Sequence, residues 1–571
     1  MRLYRQLRSF RQLSIIAFSL SLIGACAVIP LTVDTKATAP VLDSFGATTL
    51  VASRATEPAQ RLFAQGMAQV YAFNGQEAIR AFKAALAQDP ECAMCAWGVA
   101  LEMGPNINNA KRGDLKTAVK YVDYALAHSA GSSARDLALI GSLALRYGHR
   151  AGNVIAPPPG ELCTAASGAD NDPADPLDVA YARHLRTLVE HFPADPDVLA
   201  LYAEAELVAT RGDWWDRVTG KPGGRVGELA TMIEAGLARQ PNHVGLNHYM
   251  IHVVDAVPVA ARALAAADRL GALAPKSPHL LHMPSHTYAN LGRYADATRV
   301  NQLAVEADRD LVTVLKKQNF TGTVDWRQHD GHFQWYAALM EGRAELALES
   351  ARASARRATG DNEYHEYMRS LPLLTLLQLQ RWDLLITEPI ASGEKGMAGV
   401  LGEMTHGIAL ARSGKLVDAK AALERLTPKA ALMVAKQTGK GFTARMVRSI
   451  AASSQSQLEA EIAFAEHRTD EAVKLQAAAA DSAVNAERTE PPMLAGGPRQ
   501  RLGSMQLRNQ QFAAAEQSFR ADLALHPANG WALSGLEKAL AGQGKEAAAK
   551  AAARDLAASW LLAESQVRAT Q

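Results

Sequence analysis

No charge of one sign predominates in this chain: 60 lysines and arginines face 58 aspartates and glutamates. A nearly neutral protein carries no electrostatic footprint for nucleic acid, so nucleic-acid partners are excluded. No segment sustains an apolar–polar alternation of period two, which argues against a core built from sheets. Also missing are a glycine-rich phosphate loop, a nucleophile elbow and a Ser-His-Asp arrangement, so the common phosphoryl- and acyl-transfer sites have no sequence support. Cysteine is scarce, with four residues at positions 26, 92, 95 and 163. The apolar run 13–25 is too short to span a bilayer.

What is present at the N-terminus has the layout of an export signal. Arg2, Arg5, Arg8 and Arg11 precede the apolar run, which ends in Leu22-Ile23-Gly24-Ala25-Cys26. Basic flank, short apolar centre and small residues before the cut are the features of a cleaved secretory segment. The last five residues resemble a bacterial lipobox, which implies that Cys26 is lipidated and becomes the first residue after cleavage. Ala27 is not the aspartate associated with inner-membrane retention. The resemblance therefore points to the cell envelope of a bacterium, with the protein lipid-anchored, facing the periplasm and held in the outer membrane. A plain signal peptide or an uncleaved anchor is the alternative. Without residues 1–25 the balance is 56 basic against 58 acidic residues.

Helical propensity and a fixed repeat dominate the rest. Alanine-rich runs such as 260–273 and 545–557 favour helix. Trp531, Gly535, Gly542 and Ala547 follow the spacing W-x3-G-x6-G-x4-A, Gly503, Ala515, Phe519 and Pro527 continue it upstream, and Gly66, Ala78, Phe82, Ala85 and Pro90 repeat it near the N-terminus. These positions resemble the tetratricopeptide repeat (TPR), whose period is about 34 residues. The expected fold is all-α, a solenoid of helical hairpins wound as a right-handed superhelix. A signal over 1–25 and a flexible tether over 26–55 precede N-terminal repeats over 56–150. An insertion over 151–176, rich in Pro, Gly, Ser and Asp, is followed by central repeats over 177–395 and C-terminal repeats over 396–565.

Histidine is concentrated where the repeat is most decorated. Eight of 16 histidines fall within 242–332, and His248 to His282, like His252 to His286, is a step of 34 residues. On the repeat ruler His279 and His329 take the second position, His248, His282 and His332 the fifth, and His252 and His286 the ninth. Offsets of three and seven return to within about 60° of one direction on a helix, so the three positions share a face. In TPR solenoids that face lines the concave groove. A pair at i and i+4 overhangs one turn and can chelate one ion, and neighbouring helices about 8 to 10 Å apart can offer imidazoles to the same ion. His248, His252, His282 and His286 are thus a candidate four-nitrogen cluster. His279, His329 and His332 would complete it or form a second centre. The expected ion is copper, zinc or iron, and the expected chemistry, if any, is that of a metal-dependent oxidase or hydrolase. Histidines that line a groove for a peptide or protein partner, or that cap helix ends, are the alternative.

The phrases at 241–252, 279–297 and 329–333 also resemble a group of bacterial TPR proteins in which NHYMIH, HMPSHTYANLGRYADA and a later paired-histidine helix recur in that order. The likeness spans about 59–342 and implies no particular reaction. Acidic residues follow the first histidine pair in that group; here the residue is Asp255, placed to orient an imidazole. Glu204 is a candidate ligand or general base. Cys92 and Cys95 occupy the second and fifth positions of their own repeat, where a disulfide or redox pair, metal ligands or core thiols are all compatible with C-x2-C. Trp214 and Trp215 suggest either the floor of a binding groove or packing at an irregular turn.

Overall fold

The computed structural model describes residues 31–108, 114–148, 175–210, 214–390, 396–494 and 497–570. The export signal, Cys26, Cys163 and nearly all of the 151–176 insertion lie outside them. The described residues form helix after helix, with no strand; an isolated bridge joins Trp215 and Pro222. None of these helices is long and apolar enough to cross a membrane.

Successive helices pair as hairpins of the TPR kind, and the small consensus residues show why. Helix Glu57–Tyr71 packs on helix Gly75–Gln88, with the fully buried Phe82 ring wedged between them and helix Ala93–Glu102. A Cβ at Gly66 would lie 2.5 Å from that ring, and one at Gly98 2.6 Å from it. The same device recurs near the C-terminus, where Phe519 lies against Gly503 and Gly535. Glycine at these contacts lets one aromatic side chain serve two hairpins at native packing density.

The turn inside many hairpins is closed by one residue in the left-handed region. Its successor's N–H bonds the carbonyl five residues back: Arg293 to Tyr288 at 2.8 Å and Arg343 to Ala338 at 2.9 Å. Gly292 (φ +73°) and Gly342 (φ +77°) take the left-handed position without strain. In the first hairpin the same bond runs from Asn74 to Gln69 at 2.9 Å, but the left-handed residue is Phe73, at φ +50°.

Both ends of the array return to its middle. From the C-terminal side, the Trp531 and Trp560 indoles donate to the carbonyls of Leu339 (2.9 Å) and Met340 (3.0 Å), and Gly292 sits so close to Pro527 that a Cβ would meet its carbonyl oxygen at 2.4 Å. From the N-terminal side, Arg80 donates to the carbonyl of Thr321 at 2.6 Å, and the Val41 N–H donates to Gln318 Oε1 at 2.8 Å.

The expected flexible tether over 26–55 is corrected for its described part, 31–55. Leu42, Phe45 and Leu50 are buried against the helices, and Thr48 donates to Asp197 at 2.9 Å. Buried side chains of this size each favour the docked state by roughly 1.5–3 kcal/mol, which is why a segment without secondary structure lies down as a strap.

Candidate metal centre

Helix Val244–Val253 starts at His243, whose Nδ1 accepts from the Leu246 N–H (3.1 Å) while its Nε2 faces Asp197 Oδ1 at 3.1 Å. This histidine is a helix cap. One turn on, His248 and His252 project from the same face, and their Nε2 atoms are 3.1 Å apart. His279, at the start of helix Pro278–His282, brings its Nε2 to 3.2 Å from His248 Nε2. Pro284 breaks the helical run just beyond, because it has no N–H to donate. His282 and His286 straddle that break with their Nε2 atoms 3.1 Å apart. His329 of helix Arg327–Met340 joins them.

The histidines therefore divide three and three. His248, His252 and His279 form one group, and His282, His286 and His329 the other; within each, one donor atom per residue lies within 4.8 Å of the others. The two groups face each other, with ring centroids 6.4 Å apart for His252 and His286 and 6.1 Å for His279 and His282. Two nitrogens about 3.1 Å apart subtend an angle of about 100° at an ion bonded at about 2.0–2.1 Å, close to the tetrahedral value.

Hydrogen bonds on the outer ring nitrogens determine which tautomers the centre holds. His248 Nδ1 lies 2.7 Å from the Tyr71 carbonyl, which can only accept, so Nδ1 carries the proton and Nε2 presents a lone pair. Asn301 donates its amide to Ala297 O (2.7 Å), which leaves Oδ1 to accept from His282 Nδ1 at 2.6 Å. His286 Nδ1 donates to Asp255 Oδ2 at 2.8 Å, and Asn290 holds the other oxygen of Asp255 at 2.6 Å. With both outer nitrogens committed, the neutral His282 and His286 would point lone pairs at each other across 3.1 Å. Only a cation relieves that contact: a proton on His286 or a metal ion.

Burial sets the charge states. Desolvation, then neighbouring imidazoles, lowers His248, His279 and His282 well below the usual histidine range, and burial with His286 nearby brings His252 and His329 to about 3. These rings stay neutral, the form that binds metal. His286 is the exception: burial disfavours its charge, but Asp255 outweighs burial and raises it. Asp255 is likewise opposed by burial, yet the His286 contact brings it to about 2.

Aromatic rings cover both groups. Phe73 lies 4.6 Å from His248 and 5.1 Å from His279, Trp326 lies 4.3 Å from His279, and Phe333 lies 4.4 Å from His286 and 4.8 Å from His282. A phenylalanine at positive φ is strained by about 1–2 kcal/mol, and here the strained residue places its ring on the first triad. Five of the six histidines are accordingly buried, with His248 and His282 at 0 % exposure, while His329 is half-buried and His286 borders a cavity. The return of both chain ends to the middle has closed the expected groove.

Several expected site residues lie elsewhere. His332 is not brought to either triad: its Nε2 meets the Tyr367 hydroxyl at 3.0 Å, and its ring stacks on Trp335. Three residues beyond His329 it is rotated about 60° around the helix, enough to face the following hairpin. Glu204 belongs to neither triad and lies in a small pocket with Glu102 and Arg146, where burial raises it to about 7 against the pull of Arg146. Cys92 and Cys95 are bonded to each other in a buried disulfide at the start of helix Ala93–Glu102, remote from the histidines. Trp215 is packed, its indole donating to Val253 O at 2.6 Å, yet it also walls a cavity beside His286.

Other contributors have no motif in the sequence to mark them. Tyr71 acts through a backbone carbonyl, Asn301 lies on the following long helix 19 residues after His282, and Glu490 stands far along the chain from His286. Glu490 Oε2 is 3.7 Å from His286 Nδ1 and joins Asp255 and His286 as a further group of convergent donors. Asp330, whose Oδ1 is 3.4 Å from His282 Nδ1, was visible between the two histidines of His329-Asp330-Gly331-His332. Burial and Asp308 raise it well above the usual carboxylate range.

Fold and site together define an all-α, TPR-like repeat protein with six histidines converging in its interior. No protein-family profile matches the chain, and no curated protein does. Solved structures it is similar to include the TPR domain of P58(IPK) (11 % identity, 85 % of this chain and 98 % of that one, TM-score 0.20). Others are yeast Tom70 (12 %, 86 % and 96 %, TM-score 0.27) and Naa15/Naa10 bound to HypK-THB (12 %, 88 % and 70 %, TM-score 0.20). Scores this low bear on neither the course of the superhelix nor the function.

Proposed function

We propose that this protein is a metalloprotein holding two transition-metal ions, each bound by three imidazoles, and that copper is its working metal. The observation that carries the reading is the second triad, where His282 and His286 have both outer nitrogens committed and need a cation between their inner ones. All-imidazole donor sets without a carboxylate favour copper or zinc over the harder ions, and the affinity order places copper above zinc. Three protein ligands per ion leave a coordination position open, the arrangement of a catalytic rather than a structural site. Ions held by the two triads would be near neighbours, since the facing rings of His252 and His286 are 6.4 Å apart. Such a centre suits activation of dioxygen or water, which makes a metal-dependent oxidase the favoured activity and a hydrolase the zinc-dependent counterpart.

The test is metal content by mass spectrometry on the chain from residue 27 onward, purified without a histidine tag. Two ions per chain are expected after loading with copper, with weak paramagnetic resonance in the oxidised state because the ions couple. A folded protein that never holds metal above background overturns the reading.

We infer further that the protein is exported and anchored by lipid on Cys26. The lipobox-like sequence supports this, as does a buried disulfide, a bond that persists in oxidising compartments. Labelling cells with a clickable fatty acid should tag the parent and not Cys26→Ala; equal labelling of both would reject the anchor.

A further inference from the structure

His286, Asp255 and Phe333 form one side of a second feature, a cavity of about 670 Å³. It is assembled from parts distant in sequence: the 214–223 loop, helix Arg327–Met340 and the 484–492 segment, with Arg499 and Leu525 beyond. Its volume falls in the range of small-molecule sites. Trp215, Phe333, Tyr336 and Leu525 give it flat apolar walls.

The cations along the cavity differ in how they are satisfied. Arg217 is engaged with Glu490 at 3.2 Å and with the Arg488 carbonyl at 3.3 Å. His526 is held by Asp522 at 3.3 Å. Arg499 is held more loosely, by a single long ion pair with Glu487. Its Nη2 lies 4.0 Å from Glu487 Oε2, beyond hydrogen-bond reach, and its Nε has no acceptor. Burial raises Glu487 above the ordinary carboxylate value against the pull of His526 and Arg499. A guanidinium held beside an apolar chamber with an N–H unmet is complementary to a carboxylate, which accepts from its fork of donors.

We propose that this cavity binds a small organic carboxylate with a planar, apolar body, its carboxylate on Arg499 and its other end directed to the His286 side. The carboxylate site stands without metal; that its occupant is the substrate of the centre rests on the metal reading above.

The experiment is calorimetry on the metal-free full chain with 2-naphthoate and, as the neutral counterpart, 2-naphthamide. The naphthoate binds, and the amide binds at least tenfold more weakly. Arg499→Gln reduces naphthoate to the level of the amide, and Val484→Trp, which crowds the cavity rim, weakens both. Absence of naphthoate binding overturns the proposal, and so does an unchanged acid-over-amide preference in Arg499→Gln. If circular dichroism shows that Arg499→Gln does not fold, Val484→Trp decides: undiminished naphthoate binding there places the ligand elsewhere. Metal content measured on the same preparations separates the two ideas. Naphthoate binding without metal uptake defeats only the metal centre, and metal uptake without naphthoate binding defeats only the carboxylate site.

Discussion

Asp255 Oδ2 and His286 Nδ1 are 2.8 Å apart, with side chains 7 % and 5 % exposed, so the carboxylate both orients this imidazole and makes it a stronger donor. Asp255→Asn keeps the shape and removes the charge. Metal affinity at the second triad should fall by about 10- to 100-fold while the first triad is unaffected, the usual cost of losing such an outer partner. Chelator competition, read as two separate release steps, checks this.

The three-and-three division predicts stoichiometry. His252→Ala should leave one ion bound of two, and so should His286→Ala. Combining them should leave none. By contrast, His332→Ala should retain both ions and lose roughly 2–4 kcal/mol of stability, because it opens a cavity and leaves the Tyr367 hydroxyl without its partner. Mass spectrometry and denaturant titration give the two readouts.

Phe73 should trade backbone strain for cover over the first triad. Phe73→Gly relieves the left-handed conformation that glycine adopts freely in other hairpins, so the hairpin should persist. The ring over His248 and His279 is lost, and metal should leave the first triad faster. A stopped-flow chelation trace with an unchanged rate would remove Phe73 from this role.

Asp197 gives a pH dependence away from the centre. This buried carboxylate accepts from Tyr71, Thr48 and Thr49 and faces His243, and these contacts outweigh burial and lower it below its ordinary value. A depressed folded value means stabilisation that is present above about pH 4 and lost as pH falls further. Asp197→Ala should therefore be less stable than the parent by about 3 kcal/mol at pH 7. The difference should shrink as melting is followed to pH 3.

Much of this was legible before the fold. Gly66, Ala78 and Phe82, and Gly503, Phe519 and Gly535, announce hairpins because close helix contacts demand small residues at set intervals. The pairs His248/His252 and His282/His286 announce converging imidazoles because four residues make about one helical turn. Asp255 follows the first pair closely enough to be suspected.

The sequence by itself determined the helices, their repeat and the face that carries the imidazoles, since these depend on contacts within one or two hairpins. Only the tertiary structure decided that His279 joins the repeat before it, that His329 joins the triad ahead of it in the chain, and that His332 faces away. It alone decided that the groove is closed, by the 71–74 turn on one side and the 489–491 segment on the other, and that Arg499 shares a cavity with His286. The physical reason is cumulative: small rotations between successive hairpins add along the array, and where its ends meet its middle depends on their sum.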